Sequence, residues 1–316
     1  SLSRRQRQMC IRDRFIIAFS IFLLGNNVFA SPTWYGKIFV DAQSFSNDVM
    51  GSKTDIKNNS SRLGLKGEYS FSENSDLRLI YQAEYQFDPV DGKARGDDGT
   101  LKQRNTFLGI KSNIGTLFAG THDSALKKSQ LKIDLFNDLA PDIKNILHGE
   151  NRLEDFIGYT TPKYKSMISA TFNSIKNPSS GKKYKSYSIN FSGDAFQAAI
   201  GIDESMKGYD SSRISILIPI NKFKIGLLAQ KTKNLVSGQS DSGHVTSLSR
   251  KISSKGTFKI QRSSSNMKIS TGRQTTIGYD YQFKKYLKIF TFYSQLESSN
   301  NSKEKDIFSI GLEYKF

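Results

Sequence analysis

The last strand-length stretch of the chain limits its fold most. Phe308, Ile310, Leu312, Tyr314 and Phe316 alternate with Ser309, Gly311, Glu313 and Lys315. In a β-strand, period 2 sends these two sets to opposite faces, so one face is apolar and aromatic and the other is small or charged. The alternation recurs where Leu63, Leu65 and Tyr69 interleave with Arg62, Gly64, Lys66 and Glu68. It recurs again where Leu77, Leu79, Tyr81, Ala83, Tyr85 and Phe87 interleave with Arg78, Ile80, Gln82, Glu84 and Gln86. A fourth case sets Ile277, Tyr279, Tyr281 and Phe283 against Gly278, Asp280 and Gln282. No stretch sustains a 3.6-residue period, and no apolar run approaches the about 20 residues of a membrane-spanning helix.

Soluble sandwiches alternate too, so the connections carry the decision. Strands are expected at 34–45, 60–71, 76–87, 104–111, 115–122, 155–161, 164–173, 184–192, 195–202, 211–218, 222–231, 244–252, 255–262, 272–283, 286–296 and 306–316. Tight links such as Pro162-Lys163, Gly193-Asp194, Ser253-Ser254 and Lys284-Lys285 take turns with longer polar ones. An even strand count with short turns at one end and longer loops at the other is the pattern of an all-β, antiparallel, sixteen-stranded transmembrane β-barrel. A mean hydropathy of −0.47 fits that reading, because only every second strand residue meets lipid. The ring must close, the last strand against the first, because an open edge in lipid leaves its N–H and C=O groups unpaired. Aromatics near strand ends (Trp34, Tyr35, Tyr85, Phe87, Phe283, Tyr286, Tyr314 and Phe316) fit interfacial girdles.

Residues 1–30 read as a separate pre-sequence. Arg12 and Arg14 precede the mostly apolar run from Phe15 to Leu24, and Val28-Phe29-Ala30 places a small residue before Ser31, as a secretory signal cleaved between Ala30 and Ser31 would. Residues 1–14 show no fold logic, and Met9 to Arg14 reads like a translated sequencing adapter. The expected domains are therefore 1–30, the pre-sequence, and 31–316, the barrel. Leaving out residues 1–30 lowers the net charge from +17 to +13 and removes Cys10, the single cysteine, so no disulfide is expected. His122, His148 and His244 are widely spaced and form no ligand motif, so neither metal nor cofactor is implied.

Several ordered pieces carry a family resemblance. They are Ser61 to Glu68, Arg104 to Ile110, Gly115 to Gly120, Asp134-Leu135-Phe136-Asn137-Asp138, Arg152, Ile157 to Pro162, and the terminal Phe316. Along nearly the whole of 31–316 the chain resembles the Gram-negative general porins. Thr121 stands where that family often has an arginine, and Asp155-Phe156 where it commonly has Asn-Ser. The resemblance implies a homotrimer in the outer membrane of a Gram-negative bacterium. It also implies a long third loop folded into the lumen, and a terminal aromatic, Phe316, read by the outer-membrane assembly machinery. The implied function is passive diffusion of ions and small hydrophilic solutes through a water-filled channel.

The residues of that loop support the same picture independently. The 123–154 link is far longer than an ordinary connection of about 4–6 residues, and such loops are usually functional or disordered. Leu131, Ile133, Leu135, Phe136, Leu139, Ile143, Ile146 and Leu147 argue against a solvated tail and for packing inside the barrel. Its acids Asp134, Asp138, Asp142 and Glu150 are the expected acidic side of a constriction, with Asp123 and Glu154 at the loop's ends. Arg62, Lys66 and Arg78 have inward parity and form the expected basic wall; Arg104 joins them by resemblance, although Thr106, Leu108 and Ile110 share its face. Opposed charges across a narrow passage set ion preference.

The basic balance does not imply nucleic acid, since the lysines are scattered through loops and turns and no basic helix appears. Lysines facing membrane lipid and lipopolysaccharide, or a basic lumen, account for it. An enzyme would need a base within reach of a nucleophile, and neither His122-Asp123 nor His244 near Asp241 and Ser242 sits in such a motif. The remaining alternatives are a sugar- or anion-specific channel, with Phe118, Phe136 and Phe156 as an aromatic path, and an adhesive or structural barrel.

Overall fold

The structure is a computed structural model and describes residues 32–47, 51–72, 75–91, 101–176, 181, 183–269, 272–298 and 305–316. The pre-sequence and its Ala30–Ser31 junction lie outside these residues. Sixteen strands follow in chain order, two of them interrupted. They are β1 (Thr33–Asn47), β2 (Gly51–Asn58, resuming as Arg62–Ser70), β3 (Arg78–Gln86), β4 (Lys102–Gln103, resuming as Thr106–Ser112), β5 (Gly115–Asp123), β6 (Arg152–Thr160), β7 (Ile168–Lys176) and β8 (Lys183–Ser192). Then come β9 (Gln197–Met206), β10 (Tyr209–Ile220), β11 (Phe223–Asn234), β12 (Ser240–Lys251), β13 (Gly256–Ser265), β14 (Gly272–Lys284), β15 (Leu287–Glu297) and β16 (Lys305–Lys315).

Each strand pairs antiparallel with the next, and β1 closes the ring on β16, with Lys37 opposite Lys315 and Ser46 opposite Asp306. Among the described residues no sheet edge is left, which is the condition for an all-β chain in lipid. The burial pattern is inverted relative to a soluble protein. Phe308, Ile310 and Leu312 are 55%, 55% and 46% exposed, while Ser309 between them is fully buried and Glu313 is 6% exposed. Apolar side chains coat the outside, and small and charged ones turn to the inside.

The tight link expected at Pro162-Lys163 falls instead at Tyr164–Met167, where Lys165 and Ser166 take positive φ, so β7 starts at Ile168 and not at 164. Three further details depart from the sequence reading. First, β9 and β10 run on to Met206 and back to Tyr209, so the expected polar link of 203–210 shrinks to Lys207-Gly208. The strands continue because alternation persists there, with Asp203 buried and Glu204 exposed, and an irregularity between Asp203 and Met206 absorbs the change of register. Second, Tyr35 is not part of an outer girdle: its hydroxyl donates to Glu84 Oε2 at 3.1 Å on the inner face. Third, the β4 interruption resolves the parity of Arg104. Gln103 lies opposite Tyr85, but Phe107 lies opposite Gln82, so one extra residue is accommodated between them. That bulge turns Arg104 inward while Leu108 and Ile110 stay on the outer face.

Candidate functional site

The long link between β5 and β6, residues 124–151, is ordered by its own chemistry. Asp123 pairs with Arg152 in the β5–β6 ladder and binds its guanidinium at 3.0 Å, and the Ser124 N–H donates to the Asn151 carbonyl at 3.0 Å. Ser124 caps a single helical turn, α1 (Ala125–Lys128), by accepting from the Lys127 N–H. Asp142 caps a 3₁₀ turn at Ile143–Asn145 in the same way, accepting from the Lys144 N–H.

The loop's apolar residues lie on inward-facing strand residues. Ile133, Ile143, Ile146 and Leu147 pack with Leu217 of β10, Leu228 of β11 and Val245 of β12. Phe136 and Leu139 pack with Phe39 of β1, Phe290 and Phe292 of β15, and Ile307 of β16. At about 1.5–3 kcal/mol for each buried large side chain, these contacts offset the entropy of ordering the loop. Close seating depends on inward glycines: a Cβ at Gly278 would lie 2.7 Å from a Phe136 ring carbon, and one at Gly243 would lie 2.5 Å from Leu147 Cδ2.

The acids of the loop fall into distinct environments. Asp134 is turned into the loop and the wall behind it; its carboxylate accepts from the backbone of Phe136 and Ile143 and from Gln261 of β13. Burial, reinforced by the neighbouring Asp142, raises its pKa well above the ordinary carboxylate value. Asp142 accepts from the Asp138 N–H and binds Lys144 at 3.1 Å. Glu150 is pinned by Arg213 of β10 at 2.8 Å, with both side chains almost fully buried, and burial raises its pKa against the pull of that cation. Asp138 alone of the four reaches the basic wall, binding Lys37 and Arg62 at 3.0 Å each. Burial alone would raise its pKa, but the two cations outweigh burial and hold the carboxyl far below the usual range.

The wall opposite is a charge ladder. Arg104 donates to Glu84 at 2.7 Å and to Gln86 at 3.1 Å, and Arg62 approaches Glu84 at 4.0 Å. Lys66 and Arg78 stand apart from it. Lys66 lies over the Tyr35 ring, and Arg78 pairs with Glu68 at 3.4 Å near the short-turn end, where both side chains are half exposed.

Between loop and wall lies a cavity of about 850 Å³. Its lining holds eight basic and six acidic residues, among them Arg62, Arg104, Asp138, Asp142 and Glu150; Asp134, Lys66 and Arg78 do not border it. Five of the six acids are ion-paired, namely Glu84, Asp123, Asp138, Asp142 and Glu150. Among the described residues, Lys102, Lys128, Lys207 and Glu154 border the cavity with no ion pair.

Sequence reasoning missed Lys37 and Arg213. Lys37 carried inward parity through its neighbours Phe39 and Asp41, and Arg213 was an isolated cation on a small inward row with Ser211 and Ser215. Gln261 and Lys259, which hold the loop backbone at Leu135 from β13, gave no sequence signal. Among the described residues no group of histidine, cysteine and acid could hold a metal ion.

No curated relative matches the sequence. Solved structures match the fold. An anion-selective porin from Comamonas acidovorans is 17% identical, covering 90% of this chain and 99% of that one at a TM-score of 0.74. Salmonella typhi OmpF, in complex with daunomycin, is 15% identical over 90% and 97% at 0.72. The trimer form of in-vitro folded OmpT, an outer membrane protein of Vibrio cholerae, is 13% identical over 90% and 99% at 0.66. The family model described as Gram-negative porin matches residues 16–316. With the closed ring, the inverted burial and the charged internal passage, that match shows that the chain belongs to the Gram-negative porins and is an outer-membrane channel for passive diffusion.

Proposed function

We propose that ions and small hydrophilic solutes cross at the cavity between the 124–151 loop and the β1–β4 wall, and that this is the narrowest part of the path. The observation that carries this is Asp138, a loop carboxylate ion-paired to Lys37 and Arg62 of the wall at the cavity's edge. The loop is thereby held on two sides, by apolar packing and Arg213 on one and by Asp138 on the other. Its ion-paired acids act mainly as fasteners, and the unpaired side chains set the field that a passing ion meets. Secretion through cleavage after Ala30, assembly through Phe316 and association as a homotrimer complete the reading; the trimer form of Vibrio cholerae OmpT supports the last of these.

Cysteine labelling tests the path, since Cys10 is the single cysteine of the chain. Asn137→Cys places a thiol on the cavity lining, and Ile310→Cys places one on the outer face. Charged thiol reagents should lower single-channel current in the first variant and leave it unchanged in the second. Unchanged current in the first removes the cavity from the path.

A second reading, preference for anions, is favoured by one observation: among the described residues three cations on the lining, Lys102, Lys128 and Lys207, form no ion pair, against one such acid, Glu154. The structural likeness to an anion-selective porin agrees with it.

A further inference from the structure

Tight turns mark the periplasmic end of the barrel, so the link between β13 and β14 stands at the external end. Met267 and Lys268 of this link fold in over the lumen loop. The Met267 side chain packs against the cluster that holds Ile133, Ile143, Ile146 and Leu147 of the loop. Lys268 Nζ donates to the Lys144 carbonyl, and His148 hydrogen-bonds the Met267 backbone. An external segment thus straps the loop at three points.

Met267 also reaches the side chains that fasten the loop to the wall. Its sulfur lies 3.6 Å from Gln230 Nε2. That nitrogen donates to the His148 carbonyl at 2.9 Å and to Thr232 Oγ1 at 3.0 Å, while Gln230 Oε1 accepts from Arg213 Nε at 2.8 Å. One thioether therefore sits between the loop's apolar core and the Arg213–Gln230 fastening. The methionines of the chain differ in this respect. Met206 is 2% exposed inside the wall, and Met167 lies in a tight turn at the opposite end. Met9 and Met50 lie outside the described residues. Met267 is half-buried, open to a small reagent yet packed closely enough that a change at sulfur alters its surroundings.

We propose that Met267 is an oxidative modification site through which external two-electron oxidants, such as hypochlorous acid, loosen the lumen loop. The sulfur gives up two electrons and gains the oxygen of the reagent, which leaves as chloride and a proton; the product is the sulfoxide. Sulfoxidation turns a flexible apolar side chain into a polar one and disrupts apolar packing. The new oxygen needs a hydrogen-bond donor. Gln230 Nε2 carries two hydrogens and already serves His148 and Thr232, so the oxygen either takes the bond that anchors His148 or stays unpaired against the apolar cluster. Both outcomes weaken docking, by about tenfold in the undocked population. Enzymatic reduction of the sulfoxide makes the change reversible. The proposal rests on the reading that this loop narrows the path.

The test treats refolded protein with a small molar excess of hypochlorous acid. Peptide mass spectrometry locates the added oxygen, and single-channel noise and tryptic cleavage at Lys127 or Lys144 report the loop. The parent should gain oxygen at Met267 and not at Met206. Its cleavage rate should rise about tenfold and its open-channel current should become noisy. Methionine sulfoxide reductases for both epimers should reverse the two effects. Met267→Leu keeps an apolar side chain against the loop and should behave as the untreated parent does, before and after the reagent. Cleavage is read whether or not the protein conducts, which separates failure of this proposal from failure of the channel reading. Three results overturn the site: Met267 oxidised with noise and cleavage unchanged or lowered, Met267 unmodified while Met167 is oxidised, or an equal response from Met267→Leu.

Discussion

Arg213 holds the loop to the far wall, and its removal has a calculable effect. The guanidinium is fully buried and donates to Glu150 at 2.8 Å, to Gln230 at 2.8 Å, and to the carbonyls of His148 and Leu126 at 3.3 and 3.4 Å. Arg213→Met leaves a buried carboxylate without its cation, a loss of about 3–5 kcal/mol. If that cost falls on loop docking, the undocked population rises by roughly two to four orders of magnitude. The pH dependence has a definite sign. Burial already raises the Glu150 pKa with Arg213 opposing it, and loss of Arg213 raises it further. A carboxyl whose folded pKa is raised contributes stability below its unfolded value of about 4.3, and that contribution is lost as pH rises through the folded value. The variant should therefore keep a quiet, protease-resistant channel near pH 4. At pH 7.5 it should show noisy open-channel current and tryptic cleavage at Lys127 or Lys144. Arg213→Met/Glu150→Gln should restore the quiet state at pH 7.5. Equal noise and equal cleavage in parent and single variant at pH 7.5 would refute the reasoning.

Further outcomes follow from the same geometry. Asp138→Asn should shift the reversal potential towards anions in 0.1 M salt, where charges act over about 10 Å, and much less in 1 M salt, where they act over about 3 Å. Asp134→Asn should leave reversal potential unchanged while making the loop more protease-sensitive, because Asp134 holds the loop backbone and does not border the cavity. Gly278→Leu should displace Phe136 and raise conductance in planar bilayers. Lys128→Gln should shift the reversal potential in a salt gradient towards cations while leaving the folded barrel's heat stability near that of the parent.

The barrel was legible because its rule is local. Alternation such as Phe308-Ser309-Ile310 decides which face meets lipid, and tight links such as those at Gly193-Asp194 and Lys284-Lys285 decide which strands are neighbours. The interior was harder, because inward parity states a direction and not a depth. Arg62, Lys66 and Arg78 share a face, yet Arg62 reaches Asp138 while Arg78 lies near the short-turn end against Glu68. Arg104 was hidden by a bulge, which breaks period 2 for one residue and leaves no mark in composition. The loop acids looked alike in sequence because the carboxylates of Asp134, Asp138 and Glu150 differ mainly in what surrounds them. Gln261, two cations and one buried arginine come from strands up to 127 residues away in the chain.

The most direct test is single-channel recording of refolded 31–316 in a planar bilayer. The account predicts discrete, ohmic steps at low voltage, arriving in groups of three if the chain is a homotrimer. A correctly folded, heat-modifiable barrel that passes no current would contradict it.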